Sequence, residues 1–208
     1  MNYKDLSKRT EELKRRWLKD ICEKYPSHTL TYVPMLTDYK AGKAASVAKE
    51  QREKIVESFL SDMSERVSNT VKVYGKDLVY KKEPLDQKNY FRHILQEHKE
   101  HAGEKEIFFL DPDAGFYEDG TIGRVGETSD KKHISMPYIK LLLFNIENPP
   151  IIVCYQFNHR IEHTKRIETG INESIGGLGI SFNSTSYASS ASYRQIKFYI
   201  FEYDASKL

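Results

Sequence analysis

Two aspartates separated by one proline follow a short apolar run of the chain. Residues 106–110 (EIFFL) lead into Asp111, Pro112 and Asp113, and a glycine, Gly115, comes two positions later. A short, continuously apolar run bounded by charges is typical of a parallel strand buried on both faces. Two carboxylates at positions i and i+2 of an extended chain point the same way. They suit either a divalent cation or a pair that shares a proton.

Two other predicted strands also change from apolar to polar at their carboxyl ends. The strand at 28–36 leads into TDYKAGK, and the strand IIVCYQ leads into FNHR. Ligands of open parallel sheets bind outside the carboxyl ends of the strands, so we expect these polar residues to share one rim. The predicted catalytic residues are Asp111, Asp113 and His159, and the predicted substrate-binding residues are Asp38, Gly115, Tyr155, Gln156 and Arg160.

Each of these side chains has a chemical role that its type allows. His159 titrates near neutral pH and suits a general acid or base. Arg160 suits a bidentate contact to phosphate, and Gln156 suits a hydrogen bond to a base edge or to a water. Two alternatives remain open: Asp113 with the following Ala-Gly can form a turn, and His159 can be a surface cap of a helix.

Hydrophobic periodicity predicts strands and helices that alternate through residue 175. Strands are expected at 28–36, within 70–80, at 106–110 and at 151–156; helices are expected at 3–25, at 45–67, from residue 84, from residue 135 and after residue 158. Two β-prone segments follow the GGLG stretch, which is expected to end the last helix, and they are expected to pair antiparallel. The pattern predicts an α/β fold: a Rossmann-like three-layer sandwich with a mostly parallel sheet and antiparallel C-terminal strands.

The same reading predicts the organisation of the chain. Residues 1–208 form one α/β domain on which a helix at 1–25 packs, and no repeat or linker interrupts it. The Ser-rich segment 184–192 is expected to be a loop. A helix that carries His93, His98 and His101 is expected to be a solvated surface helix. The basic residues of the first helix form either a solvated face or a phosphate-contacting one; they are Lys8, Arg9, Lys14, Arg15, Arg16 and Lys19.

Charge and cysteine content exclude several classes of function. The formal charge of +2 arises from 32 basic and 30 acidic side chains, so no global field points to nucleic acid or to a membrane surface. Two cysteines, Cys22 and Cys154, are too few for a cysteine zinc site and are expected to be buried thiols. Residues 1–17 lack the apolar stretch of a signal peptide, and no run is long enough to span a membrane, so we expect a cytoplasmic protein. The oligomeric state stays open.

Four segments together resemble a group of small bacterial and phage proteins of uncharacterised activity. They are residues 32–36 (YVPML), residues 107–115 (IFFLDPDAG), residues 155–160 (YQFNHR) and the Phe-rich segment IKFYIFEYD. The match covers most of the chain in the same order. By position, this resemblance implies a site formed by Asp111, Asp113, Gly115, Tyr155, Gln156 and Arg160.

The DPDA stretch is also distantly similar to the Asp-Pro-Pro-Tyr motif of amino-methyltransferases that act on adenine or cytosine in nucleic acids. That resemblance implies that the Asp111 side chain and the prolyl carbonyl accept hydrogen bonds from a target amine. Asp113 stands in place of the second proline, and Ala114 in place of the aromatic residue. The first predicted strand is followed by a segment with one glycine, so the resemblance does not assign S-adenosylmethionine as cofactor.

The function expected from these patterns is an enzyme that acts on nucleic acid or nucleotides on a methyltransferase-like Rossmann scaffold. One alternative is a Mg²⁺-dependent phosphoesterase or nuclease at the same rim, in which Asp111 and Asp113 hold the metal, Arg160 holds phosphate and His159 serves as acid or base. The other alternative is a non-catalytic binding module with a degenerate Rossmann fold.

Overall fold

A computed structural model describes residues 8–35, 45–76, 78, 84–101, 103–112, 115–116, 133–158, 161–188, 195–204 and 206. The helices are α1 (Lys8–Lys24), α2 (Ala45–Arg66), α3 (Pro84–Lys99), α4 (Met136–Phe144) and α5 (Ile161–Ile175). The strands are β1 (Thr29–Val33), β2 (Val71–Val73), β3 (Glu106–Leu110), β4 (Gly115–Phe116), β5 (His133–Ile134), β6 (Ile151–Asn158), β7 (Ile180–Ala188) and β8 (Gln195–Tyr203). None of these helices has the length and apolarity that a membrane crossing needs.

Six of the strands form one mixed sheet in the order β2-β1-β3-β6-β8-β7. The first four strands are parallel, and β8 pairs antiparallel with β6 on one side and with β7 on the other. The predicted α/β fold with a mostly parallel sheet and antiparallel C-terminal strands is therefore confirmed. The last strand enters the sheet between β6 and β7 instead of adding to its edge.

Helices cover both faces of this sheet, because successive side chains of a buried strand point to opposite sides. Phe108 of β3 belongs to a core cluster with α3, α4 and α5, whereas Phe109 belongs to a second cluster with α1 and α2. Both phenylalanines are fully buried. The apolar run at residues 107–110 suits this position because neither face of the strand meets solvent.

Two short strands, β4 and β5, follow β3 in the chain and pair with each other. Gly115 and Phe116 of β4 pair in parallel with His133 and Ile134 of β5 in a small separate ladder. These two strands were not predicted from the sequence, because two-residue strands carry no periodicity that a sequence can reveal.

The prediction of a loop over residues 184–192 is wrong for its first half. Strand β7 continues to Ala188, and its residues 184–188 pair with β8. Serine, threonine and tyrosine alternate there without an apolar face, so the strand owes its conformation to backbone pairing along β8. The GGLG stretch ends α5 as predicted: Gly177 and Gly179 have positive φ, and the Leu178 amide donates to the Ile175 carbonyl.

Candidate functional site at the carboxyl edge of the sheet

The direction of the chain reverses between β1 and β3, at the centre of the parallel strands. After β1 the chain passes through α2 to β2 on one side, and it then returns through α3 to β3 on the other side of β1. Helix α2 packs on one face of the sheet and α3 on the opposite face. This is a topological switch point, at which the crevice outside the carboxyl ends of the strands is the usual place for a ligand.

Asp111 lies at this switch point, directly after β3. Its side chain is buried, its Oδ1 atom accepts a hydrogen bond from Lys14 Nζ at 2.7 Å, and its Oδ2 atom accepts one from the Tyr32 hydroxyl at 3.2 Å. Its own amide donates to the Val33 carbonyl at the end of β1. The strand end thus holds the carboxylate in a defined orientation between β1 and β3.

Lys14 corrects the prediction of a wholly surface-exposed basic face on α1. Its side chain is 3% exposed, as is that of Asp111, and its ammonium group lies 4.0 Å from the centre of the Tyr155 ring. A buried ammonium needs such partners because its desolvation is costly. Hydrophobic periodicity placed Lys14 on the basic face of α1. No pattern in the sequence indicated that Lys14 would be buried against Asp111, which lies 97 residues later in the chain.

Two other residues of this basic face pair with acids, one with an acid of α2 and one with an acid on the next turn of α1. Arg15 forms an ion pair with Asp62, and Lys19 pairs with Glu23 at 3.4 Å. From α2, Arg66 makes two hydrogen bonds to the Glu12 carboxylate, which lower the pKa of that carboxyl. The Arg15–Asp62 and Arg66–Glu12 pairs join α1 to α2 on the same face of the sheet.

Tyr155 and Gln156 lie on opposite faces of the sheet, as neighbours in a strand must. Tyr155 faces α1 and shares the Lys14 ammonium with Asp111. Gln156 faces the other way, where its Oε1 atom accepts a hydrogen bond from the Phe116 amide at 2.5 Å. The structure therefore brings Asp111 and Tyr155 together and separates Gln156 from them.

Gly115 explains how the chain reaches Gln156. Its φ of 78° lies in the left-handed region, and a Cβ at this position would lie 2.6 Å from Gln156 Cδ and 3.0 Å from its Cα. Only glycine allows this backbone to approach β6 so closely. Phe116 then packs on Tyr199 and Phe201 of β8. The predicted binding residues Gly115 and Gln156 thus touch each other and fix the start of the segment after β3.

The other four predicted site residues, Asp38, Asp113, His159 and Arg160, lie outside the described residues. Their roles stay predictions. Within the described ranges, no group of three or more His, Cys, Asp or Glu side chains is arranged to hold a metal ion. Both cysteines are buried thiols as predicted. Burial raises the pKa of Cys22 to about 12 and, helped by the Asp111 charge, raises that of Cys154. Neither thiol has the lowered pKa of a nucleophilic cysteine.

A second buried polar cluster lies at the opposite end of β3 and was missed from the sequence. Glu106 accepts hydrogen bonds from the Thr31 hydroxyl at 2.7 Å and the Tyr74 hydroxyl at 2.8 Å, and it also pairs with His98. The prediction of a solvated helix is wrong for His98, which is 5% exposed. Burial, followed by the Glu106 charge, raises the pKa of Tyr74. One feature of the sequence could have indicated this cluster. Glu106 begins an apolar strand, where its carboxylate is excluded from solvent.

Comparison of the chain with protein-family models, with curated proteins and with solved structures found no significant match. The class that fold and site define is therefore a Rossmann-like α/β protein with a polar site at a topological switch point.

Proposed function

We propose that this chain is an enzyme that acts on nucleic acid or nucleotides on a methyltransferase-like Rossmann scaffold. The observation that carries the proposal is the position of Asp111. Its carboxylate stands at the switch point between β1 and β3, and Lys14 and Tyr32 hold it from two sides. A functional carboxylate has to be held in a fixed geometry by neighbours that are themselves packed.

The role proposed for Asp111 follows from its partners. A carboxylate that already carries two hydrogen bonds retains acceptor capacity, since each oxygen has two lone pairs. With the carbonyl of the following proline, it would accept hydrogen bonds from an amine on a base or a nucleotide, as the resemblance to amino-methyltransferases implies. Asp113 and His159 would supply proton transfer, and Asp38 and Arg160 would hold the substrate.

The Lys14 ammonium argues against Asp111 as a ligand of Mg²⁺. The Lys14 nitrogen lies 2.7 Å from Oδ1, so a divalent cation bound to the same oxygen would lie next to the ammonium. Two neighbouring cations repel strongly in a desolvated site. Magnesium chemistry at this rim would have to use Asp113 and groups other than Asp111.

A thermal-shift screen of the purified protein tests the proposal. The panel comprises S-adenosylmethionine, its demethylated product, mononucleotides, and Mg²⁺ or Mn²⁺, each alone and with short DNA or RNA. A ligand at a hundredfold excess over its dissociation constant adds about 2.7 kcal/mol to the unfolding free energy. We expect stabilisation by S-adenosylmethionine or a nucleotide.

The matched control is the double variant Lys14→Met/Asp111→Asn, which removes both charges of the pair together and leaves no unpaired ion buried. Loss of the ligand shift in this variant would assign the effect to the Lys14–Asp111 pair. A shift produced by metal alone would favour the phosphoesterase alternative, and no shift with any ligand would favour the non-catalytic binding module.

A further inference from the structure

We propose that Asp111, Tyr32 and Tyr155 form a binding site for a primary ammonium group, and that Lys14 of α1 occupies this site as an internal ligand. Asp111 follows β3, Tyr32 lies in β1 and Tyr155 lies in β6, and these are three neighbouring strands of the sheet. Asp111 and Tyr155 contact the Lys14 ammonium, with the carboxylate at 2.7 Å and the ring centre at 4.0 Å, and the Tyr32 hydroxyl donates to the same carboxylate. We call these three residues the ammonium site.

The chemistry of the ammonium site selects a cation over a neutral group. The carboxylate supplies negative charge, the face of the tyrosine ring supplies the negative part of its quadrupole, and the Tyr32 hydroxyl donates to the carboxylate and orients it. Because the Lys14 and Asp111 side chains are each only 3% exposed, solvent screens these interactions weakly. Anionic plus aromatic walls are the usual way in which proteins recognise alkylammonium ligands.

The walls of the site are held by contacts that do not depend on Lys14. The Tyr32 ring stacks on Phe59 with centroids 3.9 Å apart. The Tyr155 ring meets Phe198 edge to face, and Phe198 in turn stacks on Trp17 at 4.1 Å. Trp17 lies one turn after Lys14, so it keeps α1 on the sheet. Shortening the Lys14 side chain would therefore leave a cavity with its walls in place.

Replacing Lys14 by alanine and adding propylammonium tests the inference. The substitution Lys14→Ala removes three methylene groups and the ammonium, the same atoms that propylammonium supplies. At a tenfold excess over its dissociation constant, the added cation should raise the melting temperature of this variant by about 3–6 °C. The wild-type protein should shift by less than about 1 °C, because Lys14 fills the site and a ligand without a site adds no stability.

Three controls separate the ammonium site from general effects. Equal concentrations of 1-propanol and of potassium chloride should leave the Lys14→Ala variant unchanged, since one lacks the charge and the other lacks the alkyl chain. The double variant Lys14→Ala/Asp111→Asn should lose the response. Lys197→Ala should respond less, because its partner Glu168 is 25% exposed and water fills the space of the removed side chain.

The inference is overturned if propanol stabilises Lys14→Ala as well as propylammonium does, if wild type responds equally, or if the double variant keeps the response. If Lys14→Ala does not fold alone, it is refolded from denaturant with either compound. Recovery with propylammonium only supports the site, and recovery with both or with neither overturns it.

The result stands apart from the proposed function, because propylammonium is neither a nucleotide nor a methyl donor. The consequence for function does rest on that proposal: a cationic amine that binds in the ammonium site has to displace Lys14, whereas a neutral amine uses the acceptor capacity that Asp111 retains beside Lys14. The ammonium site can thus be occupied as described even if no nucleotide or methyl donor stabilises the protein.

Discussion

At the scale of single residues, the contact that most shapes the candidate site joins Lys14 to Asp111. Buried ion pairs are weak evidence for stability, because desolvation of both charges offsets their attraction. Removing one partner is costly, however, since the other charge stays buried without compensation. The pair therefore does more to orient Asp111 at the switch point than to stabilise the fold.

Removing one charge of the Lys14–Asp111 pair is expected to destabilise the protein more than removing both charges. Asp111→Asn and Lys14→Met should each lower the unfolding free energy by about 3–5 kcal/mol, and the double variant should lose less than either single one. Urea denaturation of the four proteins measures this coupling. Additive losses would show that the two charges do not depend on each other.

Gly115 gives the second expectation at this scale. In Gly115→Ala, the alanine has to adopt a φ of 78°, and its Cβ comes close to the Gln156 side chain. In Gly177→Ala, the alanine has to adopt a similar φ of 72°, but no atom lies within 4 Å of its Cβ. The conformational cost of about 1–2 kcal/mol is common to both variants, and the close approach should add about 1–3 kcal/mol at position 115 alone. Thermal unfolding compares the two directly. Equal losses would mean that Gln156 moves aside without cost.

At the scale of elements, buried polar contacts as well as apolar packing attach helices α1 and α3 to the sheet. Helix α1 reaches the carboxyl end of β3 through Lys14, and α3 reaches its amino end through His98 and Glu106. Since polar groups buried in a core must find partners, these contacts fix how each helix is rotated and shifted along the strand.

The Glu106 cluster can be tested against a carboxylate two residues away. Glu106→Gln places an amide among three groups that donate to the carboxylate, and it should cost about 1–3 kcal/mol of unfolding free energy. Glu104→Gln removes a half-exposed partner of Lys72 and should cost about 1 kcal/mol or less. Chemical denaturation of both variants measures the difference. A Glu106→Gln variant as stable as Glu104→Gln would mean that the cluster contributes nothing specific.

At the scale of the whole molecule, one sheet separates two apolar cores. The central strands β3 and β6 contribute side chains to both, whereas β2 is a three-residue edge strand of partly exposed residues. Opening of the central strands requires both cores to separate, whereas opening of β2 uncovers only the partly buried Val71 and Val73 at the margin of one core.

Native-state hydrogen exchange should therefore show a gradient across the sheet. Backbone amides of β3 and β6 are expected to exchange only through global unfolding, and those of β2 through local opening of lower free energy. The denaturant dependence of each amide measures this, because global opening exposes more surface and gives a larger slope. Equal slopes in β2 and β3 would indicate a single cooperative unit.

Much of the fold was predictable because it depends on local periodicity. The apolar run IFFL identified β3, and hydrophobic periodicity identified the first helix, in which Trp17 and Ile21 are buried. The carboxyl edge was also predictable, since parallel strands place their ends together. The positions of β7 and β8 in the sheet could not be predicted, because both orders satisfy the same side-chain alternation. Only the pairing of strands that are distant in sequence selects one order.

The α/β fold, the parallel strands and the position of Asp111 at their carboxyl edge could be predicted, since each follows from residues close together in the chain. The folded structure alone shows that Lys14 is buried on Asp111, that Gln156 accepts from the Phe116 amide, and that Glu106 meets Thr31 and Tyr74. Each of these is a contact between residues far apart in sequence. Which charge is drawn into a core depends on the partner it meets there, and no local pattern of residue types records that partner.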